Sequence, residues 1–172
     1  IFVPKPGGGL RGLAIWALRD RVAQRAVYDI IAPVFEPVFL PCSFGFRNGR
    51  GVQDAVAALE MYREQNRRWV VDADIKDCFD TIDAARLLKL VAQRVRDRLL
   101  CHYIAGWLYG EIFNSADGVP KKAGVSQGSA LSPLLANIYL HEVDVRLSEH
   151  KLAYLRYADD FLHRHEQTVH RT

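Results

Sequence analysis

Tyr157-Ala158-Asp159-Asp160, preceded by Leu152, Tyr154 and Leu155 and followed by Phe161 and Leu162, is the stretch on which the reading of this chain turns. The apolar flanks have the composition of two short strands, with the tetrad at or near the bend, which makes a hairpin tipped with acid. Asp is a common turn residue, so the tetrad taken alone also fits an ordinary acidic turn. Two adjacent carboxylates in an apolar setting are nevertheless costly unless something positive sits between them. A divalent cation is the best-matched occupant.

A second acidic segment lies upstream, Trp69-Val70-Val71-Asp72-Ala73-Asp74-Ile75-Lys76-Asp77-Cys78-Phe79-Asp80. Its start alternates, so Val70, Asp72 and Asp74 share one face of a strand and Trp69, Val71 and Ala73 the other, with Asp74 at the C-terminal end. Two acid-tipped strands side by side bring Asp74, Asp159 and Asp160 together as hard oxygen ligands of the kind Mg²⁺ prefers. Two such ions about 3.5–4 Å apart can activate an attacking oxygen and stabilise a leaving one, so phosphoryl transfer is the leading chemistry. Further on, Asp80-Thr81-Ile82-Asp83 precedes a helical stretch from Ala84 to Val95, in which Leu87, Leu88, Val91 and Val95 have core spacing. Asp80 or Thr81 reads as its N-cap and Asp83 as a first-turn acid. Asp72 and Asp77 fit either role.

Three segments in order, Asp74-Ile75-Lys76-Asp77-Cys78-Phe79-Asp80, then Ser126-Gln127-Gly128-Ser129-Ala130-Leu131-Ser132-Pro133-Leu134-Leu135-Ala136-Asn137, then Tyr157-Ala158-Asp159-Asp160, resemble motifs A, B and C of reverse transcriptases. Their wording is closest to the bacterial enzymes of the group II intron and group II-like kind. Upstream, Arg11-Gly12-Leu13-Ala14-Ile15 with Asp20-Arg21 and Gln24 resembles the first fingers motif of that family. Ser43-Phe44-Gly45-Phe46-Arg47 with Gly49-Arg50 resembles the second. The likeness runs from about Pro4 to Phe161.

The resemblance implies an α+β fold of the right-hand polymerase type, with fingers over residues 1–68 and a palm over 69–172, the palm an antiparallel sheet packed on helices. It implies copying of RNA into DNA with two Mg²⁺ ions, Mn²⁺ being the alternative, from dNTPs on a DNA primer and an RNA template. Carried over residue by residue, Asp74, Asp159 and Asp160 match the metal-site aspartates and the backbone carbonyl of Ile75 a further ligand. Phe79 stands where the family has its aromatic gate against a ribose 2′-hydroxyl, a clash that discriminates sugars by exclusion. Gln127 and Gly128 match the pair lining the incoming nucleotide's pocket, and Ala158 is a further candidate for nucleotide binding. Lys5-Pro6-Gly7-Gly8-Gly9-Leu10-Arg11 resembles the fingers hairpin over the triphosphate, with Lys5 and Arg11 as its cationic contacts. Arg25, Phe46, Arg47 and Arg50 are candidates for the template path.

Leu131, Leu134, Leu135 and Ile138 fall at i, i+3, i+4 and i+7, so a helix follows motif B and buries that face. The coarse expectation is helices at about 20–36, 51–66, 84–95, 97–108 and 129–149, and strands near 11–16, 68–75, 152–157 and 161–165. Residues 111–122 read as a loop or short hairpin. Apolar content of 49% in 172 residues is enough for one substantial core. The net charge of +3 is unevenly spread: residues 1–50 hold seven Lys or Arg against three acids, so the surplus lies in the expected fingers, as a phosphate-contacting lobe requires. Cys42, Cys78 and Cys101 are too few and too far apart for a disulfide framework or a zinc site, which suits a reduced cytoplasm. No apolar run is long enough to be a membrane span.

Only twelve residues follow Asp160. The family's thumb and later palm motifs are therefore expected to be absent, and the chain alone is expected to hold primer-template weakly. An intron RNA or a thumb-bearing protein segment would then be a further partner. A non-catalytic RNA-holding module, maturase-like or defensive, remains the alternative, against which the intact aspartates, Phe79 and Gln127 weigh. An RNA-directed RNA polymerase fits Phe79 and the motif B wording poorly.

Overall fold

The computed structural model describes residues 1–4, 8, 10–65, 69–110, 112–113, 120–121 and 124–165. In order they form β1 (Phe2–Pro4), β2 (Leu10–Gly12), α1 (Leu18–Phe35), a 3₁₀ turn (Glu36–Val38), α2 (Val52–Glu64), β3 (Trp69–Asp74), α3 (Cys78–Thr81), α4 (Ala84–Ala92), α5 (Arg98–Tyr109), β4 (Ile112–Phe113), β5 (Pro120–Lys121), α6 (Ser132–Glu149), β6 (Ala153–Tyr157) and β7 (Asp160–His165). Helices and an antiparallel three-stranded sheet together make an α+β fold. The chain divides into two compact units, Ile1–Val38 with Asp77–Tyr139, and Phe39–Lys76 with Leu140–Thr172.

The second unit carries the sheet, in the order β3-β7-β6. Its register pairs Asp74 with Asp160, Asp72 with Leu162, Leu155 with Leu162 and Tyr157 with Asp160. Paired residues in an antiparallel sheet share a face. One face therefore bears Leu155 and Leu162, which pack with Phe44 and with Ala55, Ala58 and Leu59 of α2, while Asp74 and Asp160 stand at its end. The opposite face of β6 bears Tyr154 and Arg156, and both bond to Asp144 of α6. Burial on both faces is why β6 reads as a nearly continuous apolar run broken by a single cation.

In the first unit, β1 and β2 form a hairpin, and α4 packs on α5. Leu87, Val91 and Val95 are buried at the expected spacing, as are Leu131, Leu134, Leu135 and Ile138. The short β4–β5 hairpin falls where a loop or hairpin is expected.

Three local expectations are corrected. Asp83, rather than Asp80 or Thr81, caps α4: its carboxylate accepts the Arg86 N–H at 3.0 Å, while Asp80 and Thr81 belong to the separate turn α3. The helix after motif B starts at Ser132, not near 129. Ser129 Oγ accepts the Leu131 N–H, the local bond by which Ser competes with helix. The strand expected over 11–16 ends at Gly12: Leu13 still exchanges backbone bonds with Ile1, the residue across from it, but the Ala14 N–H leaves the ladder for the Gln127 carbonyl.

Candidate functional site

β6 and β7 are joined by the two residues Ala158 and Asp159, with Tyr157 and Asp160 as the closing pair. Ala158 has φ 60° and Asp159 is not left-handed, the pattern of a type II′ hairpin turn, whose first central position ordinarily takes Gly. A side chain there stores strain of about 1–3 kcal/mol unless its surroundings hold it. The surroundings do. Residues 42–45 run beside β6: Ser43 bridges Arg156 in parallel, the Arg156 N–H donates to the Cys42 carbonyl and the Phe44 N–H to the Arg156 carbonyl. At Gly45 a Cβ would lie 2.3 Å from the backbone nitrogen of Ala158, so only glycine lets this segment come so close to the turn.

Asp74 stands directly across from Asp160 on the neighbouring strand, and Asp159 occupies the adjoining turn. Partial burial, then the charges of Asp159, Asp74 and Asp72, raise the Asp160 carboxyl above its ordinary value. Asp160 is exposed, so water screens much of the burial contribution, and the neighbouring carboxylates are the cause that a bound cation can reverse. Asp72 thereby joins the acidic set. Among the described residues no three Asp, Glu, His or Cys side chains close into a ligand cage. The donor chemistry, hard oxygens gathered at one sheet end with a carboxyl disfavoured by its neighbours, fits a hard divalent cation.

Sequence reading missed what holds this end of the sheet. Arg156 and Asp144 are fully buried, and Nε and Nη2 of the guanidinium grip the carboxylate at 2.6–3.2 Å. Arg156 Nη1 donates to the Ala158 carbonyl at 2.8 Å and Nη2 to Ser43 Oγ at 2.8 Å. Tyr154 donates to the Asp144 carbonyl at 2.7 Å and receives the Cys42 thiol at 3.1 Å; burial pushes both the phenol and the thiol up. The available signal was an arginine inside the apolar run Ala153 to Tyr157, next to the acid tetrad.

The other expected site residues are distributed as follows. Ile75 follows β3 and is half-buried. Phe79 lies on α3, half-buried, while its neighbour Cys78 is the core residue; the Phe79 carbonyl accepts the Val125 N–H at 2.7 Å. Gln127 and Gly128 form a turn before α6. The Gln127 carbonyl accepts the Ala14 N–H at 2.8 Å, and Gly128, at φ 107°, comes so near Ala14 that a Cβ would sit 2.5 Å from its carbonyl oxygen. Ser129 donates to the buried Gln24 at 2.8 Å, tying this loop to α1. Arg11 belongs to β2, while its side chain and the whole of Lys5 lie outside the described residues. Arg25 pairs with Asp29 on α1 at 3.0 Å and covers Tyr28. Phe46 is 47% exposed with φ 60°. Arg47 and Arg50 both donate to the Ser43 carbonyl, Arg47 also to that of Leu40 and Arg50 to that of Pro41, so both brace the segment beside the turn.

Cys42, Cys78 and Cys101 form no disulfide. No described helix is long and apolar enough to cross a membrane.

Residues 3–170 match the family model described as reverse transcriptase (RNA-dependent DNA polymerase), so the chain belongs to that family. It is 38% identical to protein YkfC of Escherichia coli K12 over an alignment of 162 residues that covers 89% of this chain and 41% of YkfC. It is 36% identical to the group II intron-encoded protein LtrA of Lactococcus lactis over 148 residues, 86% of this chain and 24% of LtrA. Among solved structures, a partial Cas6-RT-Cas1–Cas2 complex superposes with a TM-score of 0.55 at 30% identity, covering 90% of this chain and 28% of the matched one. The chain thus spans less than half of the relatives it matches.

Proposed function

We propose that this chain carries the nucleotidyl-transfer centre of an RNA-directed DNA polymerase, in which dNTPs are added to a primer 3′-hydroxyl along an RNA template. The observation that carries the reading is the acidic sheet end: Asp74 across from Asp160, with Asp159 in the strained turn beside them. Asp74, Asp159 and Asp160, with the Ile75 carbonyl, would hold Mg²⁺, for which Mn²⁺ can substitute. When bound, the ions supply charge neutralisation at the transferring phosphoryl group. Everything else falls to the chain. Phe79 excludes the ribose 2′-hydroxyl, and Gln127, Gly128 and Ala158 are the further nucleotide contacts. Lys5 and Arg11 meet the triphosphate, and Arg25, Phe46, Arg47 and Arg50 are the template contacts. Residues 1–68 act as fingers and 69–172 as palm. Duplex held by a thumb from a longer chain or a partner would bring the 3′-hydroxyl within near-attack distance, about 3–3.5 Å.

Extension of a labelled DNA primer on RNA by the chain supplied with a thumb-bearing segment, with dNTPs and with NTPs in separate reactions, tests the reading. Mg²⁺-dependent extension with dNTPs, abolished by Asp159→Asn, is expected, with Phe79→Ala admitting NTPs. Extension only with NTPs, or undiminished in Asp159→Asn, contradicts it. LtrA's being intron-encoded favours a second reading, a module that holds RNA without catalysis. RNA binding with no extension, in the chain alone and with a thumb-bearing segment supplied, would establish that one.

A further inference from the structure

We infer that Arg156 is a positioning residue: buried against Asp144, it holds the Ala158–Asp159 turn in the conformation that presents the acidic residues to a cation. The inference rests on the metal-binding reading above. An arginine in the middle of a buried strand needs a reason, because a buried ion pair often contributes no more to stability than apolar residues of similar volume. Three observations supply one.

First, the Arg156 guanidinium reaches beyond its ion partner to the Ala158 carbonyl, at 2.8 Å. That carbonyl belongs to the residue with φ 60°, where a side chain is disfavoured and an external tie is needed. Second, Nη2 also donates to Ser43 Oγ, fixing the segment whose Gly45 lies against the Ala158 nitrogen. The turn is therefore clamped on both sides of one residue, at its carbonyl by Arg156 and at its amide by Gly45. Third, the Arg156 charge is neutralised by Asp144 at 2.6 Å, with both side chains fully buried. The guanidinium is thus engaged by Asp144, on the opposite face of β6 from the sheet end where Asp74 stands across from Asp160 and Asp159 occupies the turn. A cation placed directly among them would order the turn and spoil the site; one tied off by Asp144 does only the first.

The test separates positioning from stability by using the double variant Arg156→Met/Asp144→Leu, which removes both charges and keeps an apolar core. Arg156→Lys retains the charge and loses the planar fork. Folding is checked by circular dichroism and melting. Nuclear magnetic resonance then reads the Asp159 amide nitrogen, which is bonded to the Ala158 carbonyl carbon and senses the hydrogen bond to that oxygen, during titration with MgCl₂. The folded double variant is expected to show a displaced or broadened Asp159 resonance. Its half-saturating Mg²⁺ concentration should rise about tenfold or more, the range for losing an outer partner of a metal ligand. Arg156→Lys should fall between parent and double variant. A folded double variant with the parental Asp159 resonance and parental Mg²⁺ saturation would overturn the inference. Should the parent itself show no Mg²⁺ response at Asp74, Asp159 and Asp160, the metal reading fails, while the Asp159 resonance still decides whether Arg156 holds the turn.

Discussion

Two loops carry residues proposed for the site, and they are held by different forces. The acidic turn at residues 157–160 is tied by a buried charge pair, Arg156 with Asp144, and by Gly45 packed on its backbone. Among the described residues the loop at 126–130 is tied by neutral bonds: Ala14 to the Gln127 carbonyl, Ser129 to Gln24, Ser132 to the Ser126 carbonyl, and Gly128 pressed on Ala14. The difference follows from what each must present. Clustered carboxylates repel one another and need a rigid frame, and a guanidinium paired elsewhere provides one without neutralising them. The 126–130 loop, proposed to seat a neutral base and sugar, has no such repulsion to resist, so backbone complementarity is enough.

The contrast is easiest to break at Arg156. Arg156→Leu leaves Asp144 buried and unpaired, which costs about 3–5 kcal/mol, whereas the double apolar variant should recover most of that. Urea denaturation of both reads the difference. A single variant as stable as its parent would mean that Asp144 finds water, and that the charge pair does not frame the turn.

Next in size are the two glycines. Gly45→Ala and Gly128→Ala should each cost about 1–3 kcal/mol, because the added methyl meets backbone and not a movable side chain. Their functional effects should part. Gly45→Ala should raise the Mg²⁺ requirement for primer extension, and Gly128→Ala the dNTP requirement. The same shift from both substitutions would erase the distinction between the loops.

The smallest effect concerns Asp160. Its folded carboxyl value is raised, so the folded state holds the proton more tightly than the unfolded chain. The group then costs the fold nothing below the ordinary Asp value of about 3.9, and its penalty is complete only above the raised value. Asp160→Asn should therefore melt about 1–2 °C higher than the parent at neutral pH without divalent cation, since the group is exposed and screened. The gap should close as pH falls through the carboxylate range. Added Mg²⁺ should stabilise the parent more than the variant. Calorimetry across pH checks the sign, and a variant less stable at neutral pH would show that Asp160 is favourably paired.

Much of this site was legible in sequence because its signals are local. Alternation placed Asp72 and Asp74 on one face of β3, and the apolar flanks placed the tetrad 157–160 at or near the bend, as the register confirms. Boundaries that depend on distant partners were not legible. The start of α6 moved to Ser132 where Ser129 bonds to Leu131 and to Gln24, a residue on another helix. The strand after Leu10 ended early because Ala14 bonds to Gln127, far along the chain. Arg156 and Asp144 could be noticed singly, as a cation in an apolar strand and an acid within a helix, but only the fold pairs them.

The most direct measurement is a Mn²⁺ titration followed by electron paramagnetic resonance, on the parent chain and on Asp74→Asn and Asp159→Asn. The expected result is saturable Mn²⁺ binding by the parent, competed by Mg²⁺ and lost in both variants, because one acid comes from β3 and the other from the turn. Parental binding in either variant, or none in the folded parent, would contradict a metal site at the acidic end of this sheet.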